Sequence, residues 1–290
     1  MNNPRRLLLA AIAACTPLIA SAQRANLSDA DLVRALTFRS IGPASMGGRI
    51  VDIAVAENPP SVRGGRLGNV MYIAAATGGI FKTTNAGMTW TPVFDSVRTG
   101  SIGAVAVAPS NGDIVWVGTG EANNMRSSSW GTGAYKSTDG GKTWSGAMLP
   151  KTQHIARIVI DPRDPNVVYL AAMGPLWSSG GDRGLYKTTD GGKTWTNTKS
   201  ISANTGFTEV VMDPSNPDVL YAASLERERR EYGFLPGGTE TAIFKTRDAG
   251  KTWTQLAGGL PTGELGRIGL SVCRSKPSTV YAVIHAKGAA

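Results

Sequence analysis

Short runs of β-branched, aliphatic and aromatic residues, bounded by Gly, Pro, Asn and Asp, recur along the chain from residue 50 onward. One kind of run begins with an apolar residue and occupies 50–55, 102–107, 155–160, 207–212 and 268–272. A second kind carries an aromatic residue near its middle and occupies 69–75, 113–118, 166–172, 218–223 and 279–283. Segments of this length and composition are typical of β-strands. The pattern therefore predicts paired strands along most of the chain.

A third run consists of an apolar residue, an aromatic residue and Lys, and it ends at Lys82, Lys136, Lys187 and Lys245. The motif Ser/Thr-x-Asp/Asn-x-Gly-x-Thr-Trp follows directly, at 83–90, 137–144, 188–195 and 246–253, with starts 54, 51 and 58 residues apart. A weaker strand pattern, such as 91–94, follows the Trp. Four antiparallel strands in a repeat of about 52 residues predict one blade of a β-propeller.

The predicted fold class is all-β, a β-propeller of four-stranded antiparallel blades that each contain this hairpin motif. Blades are expected at about 40–97, 98–150, 151–202 and 203–260, with a partial blade at 261–290, which makes about four and a half blades. Residues 23–39 are expected to form a linker or a closing strand. Because a propeller has about four to eight blades and closes its ring, we expect the sequence to be part of a longer one.

The repeated hairpin motif resembles the Asp box, or BNR repeat, of sialidases, sortilin-type (VPS10) receptors and xyloglucanases. Its third side chain can accept hydrogen bonds from backbone N–H groups across the turn, and its Trp is expected to pack against strands or the neighbouring blade. In those families the box lies on the outer rim, away from ligands, which implies a structural role. The residues concerned are Asn85, Asp139, Asp190 and Asp248, with Trp90, Trp144, Trp195 and Trp253.

The net charge of +9 does not indicate nucleic-acid binding, because the lysines recur at one repeat position instead of forming a patch. Residues 1–22 have the basic start, apolar run and small-residue cleavage site of an export signal. Their apolar run is too short to span a membrane, which takes about 20 residues. Two outcomes stay open: a secreted or periplasmic protein, or an outer-membrane lipoprotein with a lipid anchor at Cys15. Cys273 is then the remaining thiol, expected in the core.

Loops that depart from the repeat are the candidate binding sites, since propellers generally bind at one end of the central channel. The second blade inserts 120–133, whose amides, charges and aromatic ring suit a sugar or a peptide. The predicted ligand-binding residues are Arg49, Glu121, Asn123, Asn124, Arg126, Trp130, Trp177 and Arg183. A structural ion pair is the equal alternative for Arg49, and a solvated hairpin or helical turn is expected for 226–231. With two histidines and no cofactor motif, neither a metal nor a cofactor is expected.

Glycoside hydrolysis by carboxylates needs a general acid and a base or nucleophile facing each other across the bond. Glu121 is the catalytic candidate, and Asp182, Glu226 and Glu240 are weaker ones. As a whole, 40–285 resembles secreted bacterial propellers described as sortilin-like or as glycosyl hydrolases, on the residues 120–126 and 135–144. Xyloglucanases resemble it next, but Ala76 stands where their first-blade catalytic Asp would fall.

The leading hypothesis from the sequence is an exported module that binds a carbohydrate or a peptide or protein ligand through the loops around Glu121 and Arg126. A first alternative is a xyloglucanase- or sialidase-like glycoside hydrolase with part of its active site beyond residue 290. A second alternative is a scaffold for protein assembly, which needs no site.

Overall fold

The computed structural model describes residues 48–57, 69–123 and 127–286. The expected export signal and linker, Cys15, Asn124 and Arg126 lie outside these described residues. Within them the secondary structure is almost entirely β-strand, and no helix there is long and apolar enough to cross a membrane.

The strands of the described residues form five consecutive antiparallel sheets, numbered here in chain order, and one additional hairpin. Sheet 1 contains β1 (Ile50–Val55), β2 (Met71–Ala75), β3 (Gly79–Thr83) and β4 (Thr91–Pro92). Sheet 2 contains β5 (Ile102–Ala108), β6 (Asn111–Thr119) and β7 (Ala134–Ser137), and a 3-10 turn, Pro150–Thr152, follows it. Sheet 3 contains β8 (Ile155–Ile160), β9 (Val168–Ala172), β10 (Gly184–Thr188) and β11 (Thr196–Lys199). Sheet 4 begins with β12 (Thr205–Met212) and β13 (Leu220–Glu226), and the hairpin β14 (Glu228–Arg230) and β15 (Gly233–Leu235) is inserted before β16 (Ile243–Thr246) and β17 (Thr254–Gln255). Sheet 5 contains β18 (Leu265–Val272) and β19 (Val280–Ala286).

The first strands of successive sheets lie around a common axis. β1 contacts β5, β5 contacts β8, β8 contacts β12, and β12 contacts β18. The later strands of each sheet follow in antiparallel order outward from this axis. This arrangement confirms the predicted all-β propeller fold with four-stranded blades.

Sheet 2 differs from the expected four strands. The segment after its Trp contacts β7 at two separate points. The Ser145 N–H donates to the Lys136 carbonyl, and Ala134 and Met148 form an isolated bridge in which both backbone N–H groups donate to the partner carbonyl. Gly146 lies in this segment, and Leu149 adopts a left-handed φ of 51°. Pairing is interrupted between these two points, and no continuous fourth strand forms.

Three ionised side chains on the innermost strands meet across the axis. Arg157 on β8 donates from Nε to Oε2 of Glu209 on β12, at 3.1 Å. Its Nη1 lies 3.4 Å from Oδ1 of Asp52 on β1, two sheets away. Burial raises the pKa of Asp52 and opposes the effect of Arg157. This triad joins sheets 1, 3 and 4 at their inner edges.

Each Asp box forms the same turn. Asp139 accepts from Thr143 twice, with its Oδ1 taking the backbone N–H at 2.9 Å and its Oδ2 the hydroxyl at 2.6 Å. The carboxylates of Asp190 and Asp248 receive the equivalent pair of bonds, and Asn85 accepts the backbone N–H through its amide oxygen. Burial raises the pKa of Asp139, but the hydrogen bonds that the carboxylate accepts, from Thr143 first and then from Ser137 and Lys142, outweigh it and lower that pKa to about 2. The box side chains thus hold their own hairpins together.

The box Trp packs on the preceding sheet. The Trp144 ring meets Phe94 edge-to-face with 4.9 Å between centroids, and its Nε1 donates to the Val93 carbonyl at 2.6 Å. Trp195 meets Trp116 in the same edge-to-face manner at 5.7 Å. Since aromatic pairs of this geometry add to the free energy of apolar burial, these rings help to fix the spacing of neighbouring sheets.

A second inter-sheet contact, named here the clasp, recurs between sheets 1 and 2, 2 and 3, and 3 and 4. A Lys on the third strand lies over an aromatic ring on the second strand and donates to a carbonyl of the next box turn. Its members are Lys82, Tyr72 and the Gly140 carbonyl; Lys136, Trp116 and the Gly191 carbonyl; and Lys187, Tyr169 and the Ala249 carbonyl. The two Tyr hydroxyls donate to the same carbonyl oxygens, each at 3.0 Å.

Cys273 does not lie in the core as expected. It follows β18 in a turn closed by a bond from its N–H to the Thr279 carbonyl, and its side chain is partly exposed beside Ser275. Because β18 ends at Val272, the thiol lies in the turn that follows, 3.4 Å from the Ser275 hydroxyl.

Candidate functional site

The segment 120–123 after β6, named here the hub loop, holds the catalytic candidate Glu121. The Glu121 side chain is fully buried. Arg49, which precedes β1, donates from Nε to Oε1 at 2.7 Å and pairs through Nη2 with Oε2. Asn123 adds a bond of 3.4 Å to Oε1. Both carboxylate oxygens are thus engaged by neighbouring side chains, and Arg49 takes the ion-pair role that the sequence left open.

The backbone carbonyls of the hub loop are bound from three further sheets. His154, before β8, contacts the Glu121 carbonyl through Nδ1 at 2.8 Å. Because a carbonyl only accepts, this nitrogen carries the proton. Arg227, after β13, and Arg267, on β18, both donate from Nη1 to the Ala122 carbonyl, at 3.3 and 3.2 Å. The hub loop therefore ties sheet 2 to each of the other four sheets.

Burial sets the protonation of this cluster. The pKa of His154 falls to about 4, because the ring is buried and Arg227 lies nearby. The pKa of Arg227 falls to about 9, for burial and the proximity of other arginines, Arg267 first. At neutral pH the imidazole is uncharged, and the guanidinium groups keep their charge. The cluster thus has the composition of a structural junction, with Glu121 as its buried counter-charge.

An open groove of about 350 Å³ lies next to the hub loop, between sheets 1 and 2. Trp130, 67% exposed, lies at this groove. The described residues that line it are Thr77, Arg98, Thr99, Gly100, Ser101, Ser129, Trp130 and Thr132. Ser101 connects the groove to the hub loop, since its hydroxyl donates to the Ser129 carbonyl and accepts from the Glu121 N–H. A ring beside several hydroxyl groups and one guanidinium can bind a polar ligand with flat apolar faces.

The structure does not bring every predicted ligand residue to this groove. Arg183 is buried, and its guanidinium donates to backbone carbonyls of its own loop, among them Met173 and Gly180. Its donors are used within the fold, and its predicted contact with a ligand stays a prediction. Trp177 is half-exposed on the same loop and lies against Arg229.

Two of the weaker carboxylate candidates are also tied to the protein. Glu240 accepts from the hydroxyls of Ser202 and Thr205. Glu226 accepts from the backbone N–H of Glu240. Ala76, at the position expected for a catalytic Asp, is fully buried. Of the described residues that line the groove beside Trp130, none carries a carboxylate.

Sequence reasoning missed the charged residues on the innermost strands and expected 226–231 to be solvated, whereas Arg227 is 2% exposed. A signal for the first set was available. Asp52, Arg157 and Glu209 occupy the same position, the third residue of an otherwise apolar first strand. When strands that line a common axis carry charged residues at the same strand position, these residues are expected to form ion pairs across the axis. Arg267 shares this position as the third residue of β18, whereas Arg227 carries no such pattern.

The sequence and structure resemble known propellers over most of the chain. Residues 132–262 match the family model described as sortilin, neurotensin receptor 3. A xyloglucanase from Paenibacillus sp is 25% identical over 291 aligned positions, covering 92% of this chain and 26% of that protein. A xyloglucanase from Hypocrea jecorina is 31% identical over 218 positions, covering 65% of this chain and 25% of that protein. The chain spans about a quarter of the length of these relatives.

Solved structures show the same fold. The crystal structure of an ancestral GH74 enzyme superposes with a TM-score of 0.60 at 21% identity, covering 81% of this chain and 29% of that chain. The GH74 enzyme of Niastella koreensis superposes with a TM-score of 0.56 at 24% identity, covering 80% and 33%. The resemblance indicated by the repeat, to sortilin-type and glycosyl-hydrolase-like Asp-box propellers, is therefore confirmed.

Proposed function

We propose that this chain is the glycan-binding part of a glycoside hydrolase that acts on a β-glucan of the xyloglucan type. The observation that carries this proposal is the similarity to xyloglucanases along 92% of the chain. The alternatives of a peptide ligand and of an assembly scaffold stay predictions. Placement outside the cytoplasm also stays a prediction, which rests on 1–22.

The groove beside Trp130 supports glycan binding. Pyranose rings present apolar C–H faces and hydroxyl edges. The exposed Trp130 ring offers a stacking surface, and Thr77, Ser129 and Thr132 offer hydrogen-bonding groups around it. A site for a sugar needs this combination of apolar contact and a few polar groups that fix orientation.

Hydrolysis is proposed for the complete enzyme and not for the described residues alone. Two carboxyl groups must flank the scissile bond at about 5–10 Å from each other. Glu121 is buried against Arg49, and Ala76 cannot supply a proton or a nucleophile. The catalytic pair therefore has to include residues other than these two.

The first test is binding of soluble xyloglucan, measured by isothermal titration calorimetry together with release of reducing ends. We expect the protein to bind, and Trp130→Ala to weaken binding about tenfold, since loss of one stacked ring costs about 1.4 kcal/mol. Tyr281→Ala is the matched control, because Tyr281 is 63% exposed on β19 and does not line the groove.

The proposal fails if the protein binds neither xyloglucan nor other β-glucans, or if it binds a peptide and no glycan. Equal affinity of wild type and Trp130→Ala would remove the groove as the contact site. Thermal unfolding of each variant verifies that the loss is not due to unfolding.

A further inference from the structure

The backbone at Gln153 has a conformation that residues with a Cβ rarely adopt. Gln153 follows the 3-10 turn Pro150–Thr152, and its φ is 56° and its ψ −33°. The His154 N–H donates to the Thr152 carbonyl at 2.6 Å, which closes a three-residue turn around Gln153. A γ-turn of this hand is rare and strained, because the Cβ of its central residue crowds the backbone. Such a turn persists only where the surrounding structure holds it.

The Gln153 carbonyl is held by the insert 120–133, the loop that carries Trp130. It accepts from the Gly131 N–H at 2.7 Å. Gly120 packs on the same carbonyl so closely that a Cβ at position 120 would clash with its oxygen, and a Cβ on Gly131 would clash with Gly120. Two glycines of the insert thus contact the strained turn directly through their backbones.

Trp130 lies between two residues whose backbones are bound by the fold. On one side, the Ser129 carbonyl accepts from the Ser101 hydroxyl at 2.8 Å and from the Glu121 N–H at 3.2 Å. On the other side, the Gly131 N–H is taken by the strained turn. The Trp130 ring itself is 67% exposed. Because so little of the ring is buried, its position depends on the backbone on its two sides.

The backbone of Gln153, and not its side chain, is what the groove uses. Ser129, Trp130 and Thr132 line the groove, whereas Gln153 is not among its described lining residues. A relaxed φ at position 153 would turn the carbonyl away from Gly131 and would release one side of Trp130. The strain is therefore located where it decides the shape of the groove, as strained backbone at ligand sites commonly is.

We infer that Gln153 is a positioning residue for the groove beside Trp130, and that its strained turn holds Gly131 and thereby sets the place of the Trp130 ring. The inference rests on the proposed function for the class of ligand alone, because the placement of the ring can be measured without a ligand.

The first test is ¹⁹F NMR of protein labelled with 5-fluorotryptophan, with the Trp130 signal assigned by its loss in Trp130→Phe. Gln153→Val should shift or broaden this signal, because a β-branched residue is a strong outlier at positive φ. Gln153→Gly and Gln153→Ala should leave the signal in place, since the first adopts this φ freely and the second keeps the same Cβ as Gln.

Ala86→Val is the matched control. Ala86 also has a positive φ, 58°, but it lies in the first box turn and does not line the groove. This variant should lower the melting temperature and leave the Trp130 signal unchanged. A shift of the signal in Ala86→Val as large as in Gln153→Val would show that any strained turn has this effect, and it would overturn the inference.

The second test is calorimetric titration of the same variants with soluble xyloglucan. Gln153→Val should weaken binding about fivefold to tenfold, the effect of displacing one stacked ring, and Gln153→Gly should restore the affinity. In the Trp130→Ala background Gln153→Val should weaken binding no further, because its effect passes through the ring. An additive loss in the double variant would overturn the inference.

A third measurement does not depend on the Val variant. Gln153→Gly should melt at a higher temperature than Gln153→Ala, because Gly adopts the turn without strain. If it melts no higher, the turn is not strained and the inference is wrong.

The outcomes separate this inference from the proposed function. An unchanged Trp130 signal in Gln153→Val overturns the inference and leaves glycan binding by the wild type as it is. If the wild type binds no β-glucan while the Trp130 signal responds to Gln153→Val and not to the control, the proposed function fails and the positioning role of Gln153 stands.

Discussion

Two alanines in the box turns adopt a backbone conformation that suits glycine. Gly140 and Gly191 occupy the fourth box position with φ of 72° and 71°. Ala86 and Ala249 occupy the same position in the other two boxes with φ of 58° and 57°. A left-handed conformation costs an L-residue with a Cβ about 1–2 kcal/mol. These two turns therefore form at the expense of local strain.

Replacing Ala249 by Gly should relieve this strain. Gly has a larger unfolded-state entropy, worth about 0.5–1 kcal/mol, so the expected net gain is about 0.5–1 kcal/mol in the free energy of unfolding. Urea unfolding measures it. Ala147→Gly is the control, because Ala147 is exposed and is not among the residues with positive φ. Ala249→Gly should raise the free energy of unfolding, and Ala147→Gly should not. A lower free energy of unfolding in both variants would show that the backbone at Ala249 is not strained.

His154 makes the stability of the protein depend on pH between neutrality and about pH 4. Its folded pKa of about 4 lies below the usual 6.5, because of burial and Arg227. The unfolded chain therefore takes up a proton at a higher pH than the folded protein does. The contribution of His154 to the free energy of unfolding is complete above pH 6.5 and is lost as the pH falls toward 4. This contribution is on the order of 3 kcal/mol.

This dependence can be isolated with two single substitutions. His154→Gln should reduce the fall in the free energy of unfolding between pH 7 and pH 4.5, measured with urea. His285→Gln should leave the fall unchanged, because His285 is exposed on β19. An unchanged slope in His154→Gln would show that other groups produce the dependence.

At the scale of the element, the clasp links each third strand to the next box turn. Lys187 Nζ lies 5.1 Å from the Tyr169 ring centroid and donates to the Ala249 carbonyl at 2.8 Å. Lys187→Met keeps the apolar stem but removes the charge and the donor. We expect it to lower the free energy of unfolding by about 1–2 kcal/mol, the sum of one hydrogen bond and one cation–π contact.

The control for this substitution is Lys193→Met, since Lys193 is an exposed box residue. Tyr169→Phe removes the second donor to the same carbonyl. Because both donors share one acceptor, the two substitutions should be non-additive in a double-mutant cycle. Equal effects of Lys187→Met and Lys193→Met would show that charge alone is responsible.

Strands and box turns could be predicted from the sequence because their signals are local. Alternating apolar residues and the spacing of Asp139, Gly141 and Trp144 determine them within one repeat. The interruption of the fourth strand of sheet 2 could not be predicted, because the left-handed residue at which its pairing ends, Leu149, carries no turn signal.

The site was predictable only in part. Trp130 was found as an aromatic residue in an irregular loop. The hub loop lies in the predicted insert 120–133, but its partners could not be predicted, because they are distant in sequence: Arg267 lies 145 residues from Ala122. Their meeting depends on how five sheets are disposed around one axis, which no single repeat encodes. The same arrangement of sheets brings Arg49 to Glu121. A residue that the sequence offers as a reactive carboxylate is therefore a buried counter-ion of Arg49.

At the scale of the whole molecule, three contacts join sheets that are not neighbours. Arg157 reaches Asp52 across the axis, and the hub loop reaches sheets 4 and 5 from sheet 2. In arrays where each repeat contacts only its neighbours, stability is close to a sum of local terms. These long-range contacts make the sheets depend on one another, so we expect them to unfold together and not one by one.

The clasp also has a direction. Its Lys and aromatic residue always precede, in the chain, the turn carbonyl that they bind, as Lys82 and Tyr72 precede Gly140. A ribosome adds about 5–20 residues per second, so one repeat emerges in about 3–10 seconds. When each of these box turns is synthesised, the Lys and the aromatic residue that bind its carbonyl are therefore already present. The sheets can thus assemble in order from the N-terminal one while translation continues.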